Sequence, residues 1–121
     1  MNKNIGIIGC GAILPRHLES IDLNKNFNLV AICDIQESTS TEIAKKLGVE
    51  SYTNYKKMID SGKVNFITIA TPNSLHHEQA IYGLKNGCDV LIEKPVSFSE
   101  EEIYDIMNTA KLNNREAYCV L

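Results

Sequence analysis

The sequence predicts an α/β protein in three layers, a doubly wound parallel sheet with helices on both faces. Three observations carry this. Short apolar runs end in glycine or a polar residue, amphipathic segments lie between them, and the spacing leaves room for the crossover helices that parallel neighbours require. A chain of 121 residues is long enough for one domain with its own core and too short for two of ordinary size.

The first run, Ile5, Ile7 and Ile8, stops at a glycine, as expected of a parallel strand buried on both faces. Leu14, Leu18 and Ile21 then recur at i, i+4 and i+7, with Pro15 near the start, where a missing N–H costs nothing. This predicts a first helix with His17 on its solvent side. Residues 27–33 (FNLVAIC) predict a second strand finishing at Asp34, and Thr39 with Glu42 has the capping-box spacing ahead of a helix closed by Gly48. A weaker strand is predicted over residues 50–53. Asn54 follows as an N-cap, with a short helix over residues 55–61 and Gly62 as its stop.

Residues 64–70 (VNFITIA) are the strongest central-strand candidate. A helix containing Ala80, Ile81 and Leu84 comes next, ended by Gly87, and a buried strand follows over residues 90–92. Ser99 and Glu102 repeat the capping-box spacing, with Ile103, Ile106, Met107 and Ala110 as the inner face of the last helix. Residues 117–121 begin a sixth strand. No repeat or linker interrupts the order, and the stop in or just after a strand, with no polar tail, is expected of a piece of a longer protein.

Hydrophobic residues make up 44% of the chain and charged residues 22%, proportions that argue against a disordered or fibrous protein. The formal charge of −3 comes with lysines dispersed among acidic residues, so neither nucleic acid nor an anionic membrane is expected as a partner. No apolar stretch approaches the roughly 20 residues that span a bilayer. Glycines interrupt the apolar start and no small-residue cleavage site follows, which reads as a strand and its turn rather than a signal peptide. Cys10, Cys33, Cys88 and Cys119 lie far apart in apolar or strand-like settings without a CxxC pair. They are expected to be buried reduced thiols in a cytoplasmic protein.

Gly9, Cys10 and Gly11 fall at the junction of the first strand and first helix. A dinucleotide site of the Rossmann fold needs a tight turn there, with no side chain in the way, so that N–H groups at the helix start can hold a pyrophosphate. The third small position of G-x-G-x-x-G/A is Leu14 here, a departure from that pattern. Asp34, about 20 residues further on at the end of the second strand, is placed to accept from the adenosine ribose hydroxyls. Ile35, Gln36 and Glu37 include no arginine to meet a 2′-phosphate, which favours NAD over NADP. Residues 70–73 with His76, and Glu93-Lys94-Pro95, sit at the carboxyl ends of two further strands, the edge where doubly wound sheets bind ligands. His76 and His77 are adjacent on a helix and diverge by about 100°. His77-Glu78 also lacks the second histidine of HExxH, so no metal is expected.

GIIGCGAI, VAICD, ATPNSLHHEQA and VLIEKP, in that order, closely resemble the Gfo/Idh/MocA family of sugar and inositol dehydrogenases, from the first strand to the end of the chain. The resemblance implies that Gly9, Gly11, Ala12 and Ile13 line the pyrophosphate of NAD and that Asp34 meets its adenosine ribose. It implies further that Thr71, Pro72, Asn73 and His76 border the nicotinamide ribose. Glu93 and Lys94 would stand beside the nicotinamide, with Lys94, the candidate catalytic residue, touching the substrate hydroxyl that is oxidised. An ammonium beside a developing alkoxide stabilises it, which gives Lys94 a rationale apart from the family.

The residues 15–21 (PRHLESI) also resemble members that act on nucleotide-linked amino sugars and their uronates. On the resemblance, a second domain supplies the substrate pocket and further catalytic residues and carries most of the contacts of a homo-oligomer. Residues 1–121 would then bind the cofactor without completing catalysis on a sugar or cyclitol. A stand-alone NAD-sensing module leaves EKP without a purpose, and a Rossmann-like methyltransferase leaves both TPNxxH and EKP unexplained.

Overall fold

The computed structural model describes residues 2–97 and 99–120. In chain order the elements are β1 (Lys3–Ile8), α1 (Leu14–Asp22), β2 (Phe27–Cys33), α2 (Glu37–Leu47), β3 (Glu50–Tyr52) and α3 (Tyr55–Asp60). They continue as β4 (Phe66–Ile69), α4 (Asn73–Lys85), β5 (Asp89–Ile92), α5 (Glu100–Leu112) and β6 (Ala117–Cys119). The six strands form one parallel sheet in the order β3-β2-β1-β4-β5-β6. This is the predicted doubly wound Rossmann arrangement, and the order reverses between β1 and β4.

Two apolar layers flank the sheet, because neighbouring residues of a strand point to opposite faces. On one side Leu14 and Ile21 of α1 and Ala44 of α2 pack on Ile5, Ile7, Ile32 and Phe66. On the other, Met58 of α3, Leu84 of α4 and Ile106 of α5 pack on Ile8, Ile67, Ile69 and Val90. Gly83 lets α4 approach β4 closely: a Cβ there would lie 2.5 Å from Ile67 Cδ1. No helix among the described residues is long and apolar enough to cross a membrane.

Several local expectations hold at the atomic level. Asn54 caps α3, its side chain accepting from the Lys56 and Lys57 N–H groups, and Gly48 closes α2 in the left-handed conformation at φ 69°. Others are corrected. Helix α2 begins at Glu37 with Gln36 at its cap, so Thr39 lies inside the first turn and caps nothing. Ser99 does cap α5 by accepting from Glu102 N, but Glu102 turns its carboxylate to the Ser97 hydroxyl, and Ser97 in turn accepts from Ser99 N. The capping box therefore closes through a third residue.

On α5, Met107 is 64% exposed and Thr109 takes its place on the buried side with Ile106 and Ala110. Cys33 and Cys88 are buried, Cys10 is half-buried and Cys119, on the edge strand β6, is exposed. Burial pushes the Cys88 thiol up to about 11, with the Asp89 carboxylate adding to it. The last residue of the predicted sixth strand, Leu121, lies outside the described residues. The largest correction is His17, only 8% exposed on the inner face of α1.

Asp89 joins the amino ends of three strands. It sits at the start of β5, where Oδ2 accepts from Lys3 Nζ of β1 at 2.9 Å and Oδ1 from Glu116 N, just before β6, at 2.9 Å. Burial alone would raise its pKa; the Glu116 N–H and the Lys3 ammonium together outweigh that and hold it below the usual value. A lowered carboxylate pKa contributes stability that is present above the unfolded value and lost as pH falls through the folded one. Asp89→Asn is expected to cost about 1 to 3 kcal/mol at neutral pH. The gap to wild type should close as the pH drops from about 5 towards 2. Thermal melts across that range check this, and a gap that stays constant would remove Asp89 as its source.

Candidate cofactor site

Register builds the site before any side chain does. The last residues of the strands, Tyr52, Cys33, Ile8, Ile69, Ile92 and Cys119, are partners across the sheet. The next residues continue the row through backbone bonds: Asp34 N to Tyr52 O at 3.0 Å, Gly9 N to Cys33 O at 2.8 Å, Ala70 N to Ile8 O at 2.8 Å and Glu93 N to Ile69 O at 3.0 Å. One edge of the sheet therefore presents Asp34, Gly9, Ala70 and Glu93 side by side.

A cavity of about 360 Å³ opens over this edge, lined in part by Gly9, Gly11, Asp34, Thr71 and Pro72. Five of the residues expected in the site thus meet in one space of a size that suits a small-molecule ligand. Gly9 has φ +98°, and a Cβ there would lie 2.6 Å from the Ala70 carbonyl oxygen. Gly11 is exposed, and a Cβ on it would meet nothing within 4 Å. The first glycine is required by the turn, and the second leaves the cradle open.

Helix α1 starts with Ile13 at the cap, with no side-chain hydrogen bond to its first N–H groups and no acidic residue in its first turn. Among the described residues, the N–H groups of Gly11, Ala12 and Ile13 have no acceptor. Such a helix end offers donors and a partial positive charge to an anion. The residues present therefore fit a pyrophosphate-bearing ligand.

Asp34 fixes the loop from the adjoining strand. Oδ2 accepts from Cys10 N at 3.0 Å and Oδ1 from Gln36 N at 2.9 Å, and each oxygen keeps a further lone pair for a ligand hydroxyl. The two thiols beside it are poor nucleophiles. Burial, reinforced by the Asp34 charge, pushes Cys10 up to about 11; Cys33 rises to about 12 through burial, with Cys10 and Asp34 adding to it.

The remaining expected residues lie along the same edge outside the cavity lining. Asn73 opens α4. His76 is 1% exposed, with Nδ1 3.0 Å from Pro95 O and Nε2 2.7 Å from Thr71 O, so its ring ties the loop after β4 to the loop after β5. Thr71 Oγ1 donates to Gln79 Oε1 at 2.6 Å. Glu93 is half-buried, Lys94 is exposed, and the Lys94–Pro95 peptide is cis.

Thr53, Tyr55, Leu75 and Gln79, not anticipated from the sequence, also line the cavity, as does Ile35, which the sequence singled out only as a position without a cation. They come from three stretches, residues 35, 53–55 and 75–79, and no spacing pattern links them.

Two substitutions separate the glycine roles. Gly9→Ala is expected to lower stability by about 1 to 3 kcal/mol or more, from a strained φ and a clash with backbone. Gly11→Ala should melt with wild type. Equal melting temperatures for the two variants would contradict the assigned geometry.

The family described as "Oxidoreductase family, NAD-binding Rossmann fold" (GFO_IDH_MocA) matches residues 3–119. Glucose-6-phosphate 3-dehydrogenase of Bacillus subtilis is 35% identical over 109 residues, 90% of this chain and 31% of that protein. Myo-inositol 2-dehydrogenase of Thermotoga maritima is 30% identical over 88% of this chain and 32% of that one. The WlbA dehydrogenase from Bordetella pertussis, solved in complex with NADH and UDP-GlcNAcA, superposes with a TM-score of 0.93 at 25% identity, over 99% of this chain and 37% of that one. The chain thus spans about one third of the length of these relatives. It belongs to the Gfo/Idh/MocA oxidoreductase family and is built as that family's NAD-binding Rossmann domain.

Proposed function

We propose that this chain is the NAD-holding part of a dehydrogenase that oxidises a secondary hydroxyl of a sugar, a cyclitol or a nucleotide sugar. The observation that carries the reading is the junction of β1 and α1, where an uncapped helix end, an open glycine and the Asp34 carboxylate share one edge of the sheet. The similarity to enzymes named for a sugar phosphate and an inositol, and to one solved with NADH and a UDP-linked sugar acid, supports the substrate class. The stretch PRHLESI leans the same way, towards nucleotide sugars.

In this reading the N–H groups of Gly11, Ala12 and Ile13 donate to pyrophosphate oxygens, and Asp34 accepts from the adenosine ribose hydroxyls. A 2′-phosphate would face the Asp34 carboxylate with no cation in Ile35, Gln36 or Glu37 to offset it, so NAD is preferred over NADP. Thr71, Pro72 and Asn73 border the nicotinamide ribose, and His76 holds their loop in place through its two carbonyl contacts. The bound cofactor supplies the hydride acceptor. Either Lys94 donates to the substrate oxygen and stabilises the alkoxide while the hydroxyl proton passes to a base of the further domain, or Lys94 as a neutral amine takes that proton itself. The substrate pocket belongs to a further domain of about 100 to 200 residues, and the complete enzyme is a homo-oligomer.

NADH titration of the chain tests the cofactor half: Asp34→Ala should weaken binding by about 1 to 3 kcal/mol and erode the preference over NADPH. Unchanged affinity would take Asp34 out of the site. In a chain that includes the substrate domain, Lys94→Ala should lower kcat and kcat/KM together by roughly 10² to 10⁴-fold with NAD affinity little changed. Lys94→Arg keeps a charge but cannot take up a proton at neutral pH, so recovery by Arg would assign Lys94 to charge stabilisation rather than proton transfer.

A further inference from the structure

His17 and Glu93 are 76 positions apart in sequence, and the fold places His17 Nε2 2.9 Å from Glu93 Oε2. Both side chains are largely withdrawn from water, at 10% and 15% exposure. The carboxylate oxygen accepts, so the ring's Nε2–H is the donor. His17 belongs to the first turns of α1, four residues after Ile13 at the helix cap, so the helix end that offers its N–H groups to an anion is rigidly linked to the ring that grips Glu93.

The neighbours of Glu93 are held as well. Glu93 N donates to Ile69 O at 3.0 Å, and Pro95 O lies 3.0 Å from His76 Nδ1 on α4, the helix that packs on the opposite face of the sheet. The segment Glu93-Lys94-Pro95 is thus gripped from α1 through a side chain and from α4 through a backbone carbonyl. Lys94 stands exposed between the two grips.

We propose that His17 is a positioning residue: by holding the Glu93 carboxylate it fixes the backbone of Lys94 relative to the cofactor cradle at the start of the same helix. This rests on the cofactor reading given above. A pair that merely satisfied a half-buried carboxylate would affect overall stability and leave the order of Lys94 unchanged. A positioning pair loosens Lys94 specifically.

Amide relaxation measured by NMR on the 121-residue chain separates the two. In the wild type the Lys94 amide should have an order parameter near 0.85, and in His17→Ala it should fall towards 0.6 or below. The amides of Thr71 and Asn73, held from the α4 side, should stay rigid. His17→Gln, whose amide can still donate to Glu93, should restore order at Lys94 and keeps the test decisive if His17→Ala folds poorly. Glu93→Ala should loosen Lys94 as His17→Ala does, and the double variant no further. A Lys94 amide as ordered in His17→Ala as in wild type overturns the proposal, and so does loosening spread evenly over α1 and β5. NADH added to the wild type addresses the underlying reading separately: unshifted Gly11, Ala12 and Ile13 amides would overturn the cofactor assignment, while the ligand-free comparison still decides whether His17 holds Lys94.

Discussion

The hydrogen bonds that carry the parallel ladder one residue past the strand ends are the constraint on which the site depends. Gly9, Asp34, Ala70 and Glu93 each donate to the last carbonyl of a neighbouring strand. Because the strands are parallel and end in step, the first residues after four different strands appear along one edge. Each is adjacent in space to residues tens of positions away in sequence. A shift of one residue in any strand would turn its side chains to the other face and move its loop out of line. The two apolar layers resist that shift, since Ile7 and Ile8, with 0% and 3% exposure, are committed to opposite faces.

With the backbone so fixed, few polar contacts are needed to shape the loops. Asp34 accepts from two N–H groups, one in the loop after β1 and one in its own turn, so a residue that lines the cavity also holds the glycine loop. His76 and His17 do comparable work at the other end of the edge, one through carbonyl oxygens and one through the Glu93 carboxylate. Buried polar groups used in this way carry a penalty if a partner is lost, which makes the loop geometry sensitive to single substitutions there.

The strands were legible because apolar runs that stop at glycine or a polar residue have one simple physical reading, and the glycines and Asp34 were legible because they follow those stops. Helix details were less so. The start of α2 was missed because its first turn is organised by the Gln36 carbonyl, which accepts from both Thr39 N and Ser40 N, and a hydroxyl cap was sought instead. Met107 was placed inward for its apolar character, although Ile106 and Ala110 define a face from which it is turned away. His17 was set on the surface for its polarity. Its spacing said otherwise: it stands three residues after Leu14 and four before Ile21, the two other buried residues of the helix, while Leu18 is only half-buried. The partner that makes its burial tolerable, Glu93, lies across the sheet, and no local pattern in a single sequence connects the two.

The two ends of the edge differ in their degree of enclosure. Around Asp34 the cavity is walled by residues of the loops after β1, β2, β3 and β4, and its thiols are held protonated, so a ligand there meets fixed dipoles and no competing nucleophile. Around Lys94 the chain provides position without enclosure: the backbone is gripped on both sides and the side chain is open to solvent. Charge stabilisation by an ammonium weakens in water and strengthens when water is excluded. On the proposed function, then, Lys94 becomes effective only when another surface covers it.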